Sequence, residues 1–222
     1  MDTAPSAGNP SLEKDWWLRA LAVLQSPRPV FEALRNESQE EVEARQEPVL
    51  ALVLLAGIAG VLFAPSTGRL LNESVVDNSL LVVAVLVFLT GTLYGAATYW
   101  IGGAVLYVGL RGAGSRESYR RARHVLAFAA APLIVGLVVV WPVRLAVYGA
   151  DLFRSGGGDS GAGPAVFDGL LTGFAAWALG LLVYGISVVE RWSIVRSVVA
   201  IALVVLSLLV VTFPFLIPLA SR

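Results

Sequence analysis

The ionisable residues that could carry chemistry in this chain are concentrated in a few polar connections. The densest group is the basic stretch Arg111–His124, in which Arg116, Arg120 and Arg123 recur at helical spacing beside Arg121. Arginines at the edge of a bilayer attract anionic lipid headgroups with about 1 kcal/mol each. We therefore predict that Arg116, Arg120, Arg121 and Arg123 contact anionic headgroups, or alternatively an acidic protein partner.

Catalytic and cofactor chemistry finds little support in the same residues. His124 is the only histidine and the chain has no cysteine, so the usual imidazole and thiolate ligands of a metal site cannot be assembled. Residues Gly156–Gly161 contain the pattern G-x-G-x-x-G, but this pattern binds phosphate only between a strand and a helix. We interpret it as a linker. The sequence predicts no enzyme activity, no cofactor and no metal, and the net charge of zero argues against nucleic acid as a partner.

Long apolar stretches dominate the rest of the chain and must position these groups. Hydrophobic residues make up 57% and charged residues 14% of the sequence, against about 25% charged residues in soluble domains. Four of the five stretches reach the ~20 residues that cross a bilayer core. None has an ionisable residue near its centre, which argues against ion coupling and buried catalysis. The stretches are Pro48–Ala64, Leu80–Leu110, Val125–Val147, Pro164–Val189 and Val198–Leu219.

These stretches predict an all-α integral membrane protein, a five-span helical bundle. Most Lys and Arg residues fall before the first span and in the connections after the second and fourth spans, whereas Arg69, Arg144, Arg154 and Arg222 fall on the other side. Positive charge accumulates on the cytoplasmic side of membrane proteins. We therefore expect a multi-pass protein of the cell membrane, with a cytoplasmic N-terminus and an extracytoplasmic C-terminus.

The N-terminal region divides into two parts ahead of the membrane domain, which we place at residues 48–222. Residues 1–11 are predicted to be a disordered tail, and residues 12–47 a cytoplasmic amphipathic segment followed by an acidic linker. Trp16 and Trp17 lie on a helical pattern, and tryptophan favours the headgroup level. The sequence predicts an amphipathic interfacial helix here, and leaves open whether it lies on lipid or on the bundle.

Small residues form two stripes at helical spacing in the second and fourth spans. Such stripes let helix backbones approach closely in a membrane. We predict that they pack these spans within the chain, with a homo-oligomer as the alternative. Their glycines are Gly91, Gly95 and Gly102 in one span and Gly169, Gly173 and Gly180 in the other.

Three segments together resemble the Yip family, the five-span domain named for Ypt/Rab-interacting proteins. The first contains Ser26, Pro27, Phe31 and Leu34 ahead of the first span; the second, residues 118–128, runs into Pro132; the third is Arg191–Arg196. The resemblance is to the prokaryotic members, because the DLYGP-like segment of eukaryotic members is absent. It implies a five-span membrane fold and no enzyme activity.

Two functions remain as hypotheses from the sequence. The first is a non-enzymatic membrane protein that organises membrane or scaffolds partners through its cytoplasmic face. The alternative is a transporter or channel subunit for a neutral or small solute. Polar side chains in the second span could line its path: Thr90, Thr92, Tyr94, Thr98 and Tyr99.

Overall fold

The described part of the molecule is built from helices. The computed structural model of the protein describes residues 21–36, 46–63, 79–153 and 162–206. Three of its helices are long and apolar enough to cross a membrane, and two shorter apolar helices accompany them. The prediction of an all-α membrane protein is confirmed. The count of five spans stays a prediction, because the last predicted span extends beyond the described residues. Residues 1–11, Trp16, Trp17 and the acidic linker at 37–45 also lie outside them.

We number the helices in chain order. They are α1 (Pro27–Asn36), α2 (Gln46–Phe63), α3 (Leu80–Gly112), α4 (Tyr119–Phe153), α5 (Ala162–Glu190) and α6 (Ile194–Leu206). Within α3, the π-helix Thr98–Gly102 separates the α-helices Leu80–Ala97 and Gly103–Gly112. Within α4, the α-helices Tyr119–Ala129 and Ala131–Val135 precede the π-helix Gly136–Val140, the α-helix Trp141–Tyr148 and the 3₁₀ turn Gly149–Phe153.

The interruptions of α4 follow its prolines. Pro132 lies at the start of the short helix that follows the turn at Ala130, and Pro142 lies at the start of the helix that follows the second π-helix. Proline has no backbone N–H and its ring clashes with the carbonyl four residues earlier. A turn or a π segment placed just before each proline removes that conflict, so the helix continues across the bundle.

Glycines bring α2 and α3 into direct backbone contact. A Cβ built on Gly95 would lie 2.5 Å from the carbonyl oxygen of Val53 and 3.1 Å from the Cα of Leu54. A Cβ built on Gly91 would lie 2.6 Å from the Cα of Ile58. Since only glycine permits such an approach, dispersion contacts between the two backbones hold this hairpin together in lipid.

Two groups of buried side chains occupy opposite ends of the bundle. One joins Val23, Phe31 and Leu34 to the long helices near the connection between α3 and α4. The other surrounds Trp141 and Leu171 at the opposite end. We call the first the basic end, comprising residues 21–36, the end of α3 with Arg111, the loop 113–118, the start of α4, the end of α5 and the start of α6. Many large apolar side chains of α3 and α5 are exposed, as expected for helices that face lipid.

Candidate functional site

The loop between α3 and α4 is tied to the neighbouring helices at the basic end. Ser115 Oγ donates a hydrogen bond to Glu190 Oε1 over 2.6 Å, and it accepts one from the backbone N–H of Glu117 over 3.1 Å. Arg196 Nη2 donates to the carbonyl oxygen of Ala113 over 2.8 Å. These bonds join the loop to the end of α5 and to α6, so the connections at this end form one surface.

Three of the predicted headgroup contacts lie on or near this surface. Arg116 is exposed, whereas Arg120 and Arg121 are half-buried. Arg121 forms an ion pair with Glu117, one turn earlier in the chain. The hydroxyl of Ser118 caps α4 by accepting a hydrogen bond from the backbone N–H of Arg121 over 3.3 Å. This cap starts α4 at Tyr119, so Arg120 and Arg121 lie in the first turn of the helix.

Arg123 lies in the protein interior and not on an exposed helix face, and its predicted headgroup contact stays a prediction. The residue is only 6% exposed. Its Cζ lies 4.8 Å from the ring centroid of Tyr99 and 4.5 Å from that of Tyr119, so both rings stack on the cation. Each desolvated cation–π contact contributes about 2 kcal/mol. No carboxylate of the described residues forms a salt bridge with Arg123.

The two tyrosines around Arg123 differ in their hydroxyl groups. Tyr119 donates a hydrogen bond to the carbonyl oxygen of Trp100 over 2.7 Å, inside the π-helix of α3. The hydroxyl of Tyr99 is enclosed and has no hydrogen-bond partner among the described residues. The sequence analysis did not predict this aromatic pair. Tyr99 belongs to α3 and Tyr119 to α4, so the two rings meet only when these helices pack together.

His124 is also an interior residue. It is 2% exposed. Its position on α4 places it beside the buried residues Arg123 and Val125. Within the described ranges, no group of three His, Cys, Asp or Glu residues lies close enough to hold a metal ion. The arrangement around His124 is that of a packed core position.

The segment that resembles the family motif docks α1 on the basic end. Pro27 begins α1 after an exposed Ser26, and Phe31 and Leu34 are buried against the bundle. Arg35 Nη1 donates a hydrogen bond to the carbonyl oxygen of Val188 over 3.3 Å, near the end of α5. The carbonyls of a last helical turn have no partner within the helix, so Arg35 supplies one. Residues 21–36 therefore pack on the protein.

The two glycine stripes have different surroundings. Gly91 and Gly95 are covered by α2, while Gly102 is near Leu126 Cδ2 of α4, 3.7 Å from a Cβ built on the glycine. The π-helix between Gly95 and Gly102 rotates the later residue away from α2. A Cβ built on Gly169, Gly173 or Gly180 would meet nothing within 4 Å among the described residues. The second stripe is therefore not packed against any described helix.

An ion pair joins α4 and α5 at the end opposite the basic end. Arg144 Nη1 donates to Asp168 Oδ1 over 2.9 Å, and the Arg144 guanidinium also lies 5.2 Å from the ring centroid of Trp141. Arg144 is 8% exposed. Arg144 is part of α4 and lies near the end of that helix, as its place in the predicted third span implies. The signal was present in the sequence: both charges lie near the ends of consecutive spans, at the same depth of an antiparallel pair.

A cavity of about 440 Å³ lies between α2, α3, α4 and α5. Its lining is mostly alanine, glycine and leucine, with Tyr94 and Thr98 as the polar side chains. On α4 its walls run from Leu126 to Leu133, and on α5 from Ala175 to Leu182. Ligand pockets in proteins have volumes of about 300–1,000 Å³ and mostly apolar walls. The cavity is therefore large enough for an apolar ligand.

Comparison with known proteins identifies one family. A family model described as the Yip1 domain matches residues 21–216. No curated protein and no solved structure matches the chain. The matched range begins just before α1 and includes every helix that the structure describes.

Proposed function

Because this chain belongs to the Yip1 domain family, we propose that it is a non-enzymatic membrane protein that organises membrane or scaffolds partners through its basic end. One observation carries the proposal: hydrogen bonds join the connections at this end into a single surface, so they are not separate loops. The Ser115–Glu190 and Arg196–Ala113 hydrogen bonds join the α3–α4 loop to both sides of the α5–α6 turn, and Arg35 joins α1 to α5. A preformed surface binds with little loss of conformational entropy.

Charge on this surface supports anionic headgroups or an acidic cytoplasmic protein as the partner. Arg111 and Arg116 are exposed there. The Arg196 guanidinium stacks 4.2 Å from the ring centroid of Trp192, which orients a third cation at the same end. Several juxtamembrane arginines together bind an anionic leaflet, at about 1 kcal/mol each.

The proposed location is the cell membrane, with the basic end in the cytoplasm and the C-terminus outside. The distribution of Lys and Arg supports this orientation. Reporter fusions at Met1 and Arg222 test it. We expect the two reporters to be active on opposite sides of the membrane. Two cytoplasmic reporters would contradict both the orientation and an odd number of spans.

The ionisable groups inside the spans support a structural rather than a catalytic role. Arg123 is stacked between two tyrosine rings and Arg144 is paired with Asp168. Charges within a membrane that serve transport or catalysis face a water-filled cavity. The cavity of this protein is lined mainly by apolar side chains instead.

A transporter or channel subunit for a neutral or small solute is the second candidate, because Tyr94 and Thr98 line the cavity. The other polar residues of the predicted path do not join them. The Thr90 hydroxyl donates to the carbonyl oxygen of Leu86 over 2.6 Å on an exposed helix face, and Tyr99 stacks on Arg123.

The decisive experiment is capture of partners by the full chain from membranes dissolved in mild detergent. The variant Arg111→Gln/Arg116→Gln removes two exposed charges from the basic end, and Asp151→Asn is a control at the opposite end, where Asp151 is exposed. We expect the double variant to lose a partner that the control retains. Equal recovery by both, together with solute flux in liposomes, would favour the transporter instead.

A further inference from the structure

The cavity between α2, α3, α4 and α5 has the length of one acyl chain in one leaflet. Its volume of about 440 Å³ lies within the range of ligand pockets. Along α2 the lining residues run from Val53 to Phe63, a rise of about 15 Å. Half of a bilayer core is also about 15 Å thick. One acyl chain of one leaflet fits these dimensions.

The chemistry of the walls disfavours water as the occupant. A buried water needs two to four polar partners, whereas the walls offer mainly Ala, Gly and Leu side chains.

The position also suits a lipid chain. On α5 the lining residues extend from Ala175, near the middle of the helix, to Leu182 towards the basic end. On α5 the cavity thus lies in the half of the helix nearer the basic end, while its wall on α2 reaches Phe63, at the other end of that helix.

A cation lies one helical turn before the first lining residues of α4, on the side of the basic end. Leu126 and Ala127, which line the cavity, follow Arg123 by three and four residues on α4, so all three lie on one helix face. Thr98, another lining residue, directly precedes Tyr99, whose ring stacks on the Arg123 cation. Nε of the Arg123 guanidinium is enclosed and has no hydrogen-bond partner among the described residues, so the guanidinium has a hydrogen bond left to donate.

We propose that the cavity binds one acyl chain of an anionic phospholipid whose phosphate group is bound by Arg123. A buried cation without a carboxylate partner is costly, and a phosphate oxygen supplies both the counter-charge and a hydrogen-bond acceptor for the guanidinium. Arg120 lies one turn closer to the basic end. Its positive charge repels the ammonium group of a zwitterionic lipid and therefore favours an anionic one. The inference rests on the proposed headgroup contact of the basic end and adds to it a specific site.

The acyl-chain half of the proposal is tested by filling the cavity. The full chain is reconstituted in phosphatidylcholine vesicles with phosphatidylglycerol that has a photoactivatable diazirine in one acyl chain, and labelled peptides are identified by mass spectrometry. We expect label on the lining segments of α4 and α5. Ala178→Leu fills the cavity and should lower this labelling about tenfold, equivalent to about 1.4 kcal/mol of binding. Ala176→Leu, an exposed position on the same helix, should not. Equal labelling of the two variants overturns the proposal.

The phosphate half is tested by comparing two lipids and two arginines. Arg123→Gln should lower labelling by the phosphatidylglycerol probe about tenfold and have little effect on a phosphatidylcholine probe with the same chain. Arg116→Gln should weaken binding to anionic vesicles generally and leave the cavity label unchanged. Equal labelling by both lipids, unaffected by Arg123→Gln, overturns the site and leaves the general headgroup contact standing. If Arg123→Gln does not fold, the comparison of Ala178→Leu with Ala176→Leu still tests whether an acyl chain occupies the cavity.

A segment of the chain itself is the competing occupant. The chain has no cysteine, so engineered pairs report contacts without background. We expect no disulfide between Ala178→Cys and Leu209→Cys in the full chain reconstituted with lipid. Efficient formation of that disulfide would show that the C-terminal residues fill the cavity and would overturn the proposal.

Discussion

The ring of Phe31 packs directly on the backbone of Gly185: a Cβ built on the glycine would lie 2.7 Å from both Cε1 and Cζ of the ring. Phe31 is fully buried, so α1 is anchored by one aromatic side chain inserted where α5 has no side chain of its own. We expect Phe31→Ala to lower the free energy of unfolding by about 3–5 kcal/mol. Limited proteolysis in detergent should then cut at residues 21–36 before it cuts the bundle.

The converse change tests the same contact from α5. Gly185→Val should release α1 and give the same early cleavage, because the ring must leave its position. Gly180→Val is the matched control, since no described atom lies within 4 Å of a Cβ at Gly180. Wild-type cleavage of Gly185→Val would contradict the anchoring role of Phe31.

The hairpin of α2 and α3 should be sensitive to a single methyl group. A Cβ at Gly95 would lie 2.5 Å from the carbonyl oxygen of Val53, which is backbone and cannot rotate away. We expect Gly95→Ala to lower the free energy of unfolding by about 1–3 kcal/mol, measured by thermal unfolding in detergent. Gly169→Ala has open space and should leave the melting temperature unchanged or raise it, because alanine favours helix. The same loss in both variants would argue against close backbone packing.

Replacing Tyr99 or Tyr119 by Phe keeps the ring that stacks on Arg123 and removes only the hydroxyl, so the two variants measure what each hydroxyl contributes to stability. Tyr119→Phe removes the hydrogen bond to the carbonyl oxygen of Trp100 and should lower stability by about 1 kcal/mol. Tyr99→Phe removes an enclosed hydroxyl that has no partner among the described residues, so it should leave stability unchanged or raise it. Thermal unfolding of both variants in detergent measures the difference. A larger loss for Tyr99→Phe would show that its hydroxyl has an essential partner.

The Arg144–Asp168 pair should respond asymmetrically to loss of either partner. The side chain of Arg144 is 10% exposed and that of Asp168 is 63% exposed. Asp168→Asn removes the counter-charge that Asp168 supplies to an enclosed cation, whereas Arg144→Met leaves an anion that is largely exposed. We expect Asp168→Asn to be the more destabilising change. The double variant Arg144→Met/Asp168→Leu should recover part of the loss, since an apolar pair often replaces a buried ion pair without cost. Purely additive losses in a double-mutant cycle would contradict the pairing.

Hydrophobic periodicity and small-residue spacing were enough to predict much of this architecture. Apolar stretches of span length predicted the long helices, and Gly91 and Gly95 lie against α2 as such spacing implies. The family resemblance rested on Ser26 to Leu34 and on the passage into Pro132, and the family match includes both segments. These features depend on residues that are close together in the sequence or lie on one helix face, so the sequence alone is enough to predict them.

The surroundings of the arginines could not be predicted in the same way. Whether Arg123 faces lipid or Tyr99 depends on how α3 rotates after its π-helix, and composition does not reveal that rotation. Gly102 differs from Gly95 for the same reason. By contrast, the Arg144–Asp168 pair was within reach of sequence reasoning, because antiparallel neighbouring spans place their adjacent ends at equal depth.

The π-helices Thr98–Gly102 and Gly136–Val140 also determine how chains of this kind can change in length. A π turn holds more residues than the α-helical turn it replaces, so it absorbs an insertion inside a span without displacing the loops at either end. Deleting one residue within Thr98–Gly102 would restore a regular helix and place Gly102 six residues after Gly95, about 240° around the helix, so the residue would stay away from α2. Length variants of this segment can therefore keep the helix contacts on both sides of it while the membrane thickness that the span crosses stays nearly the same.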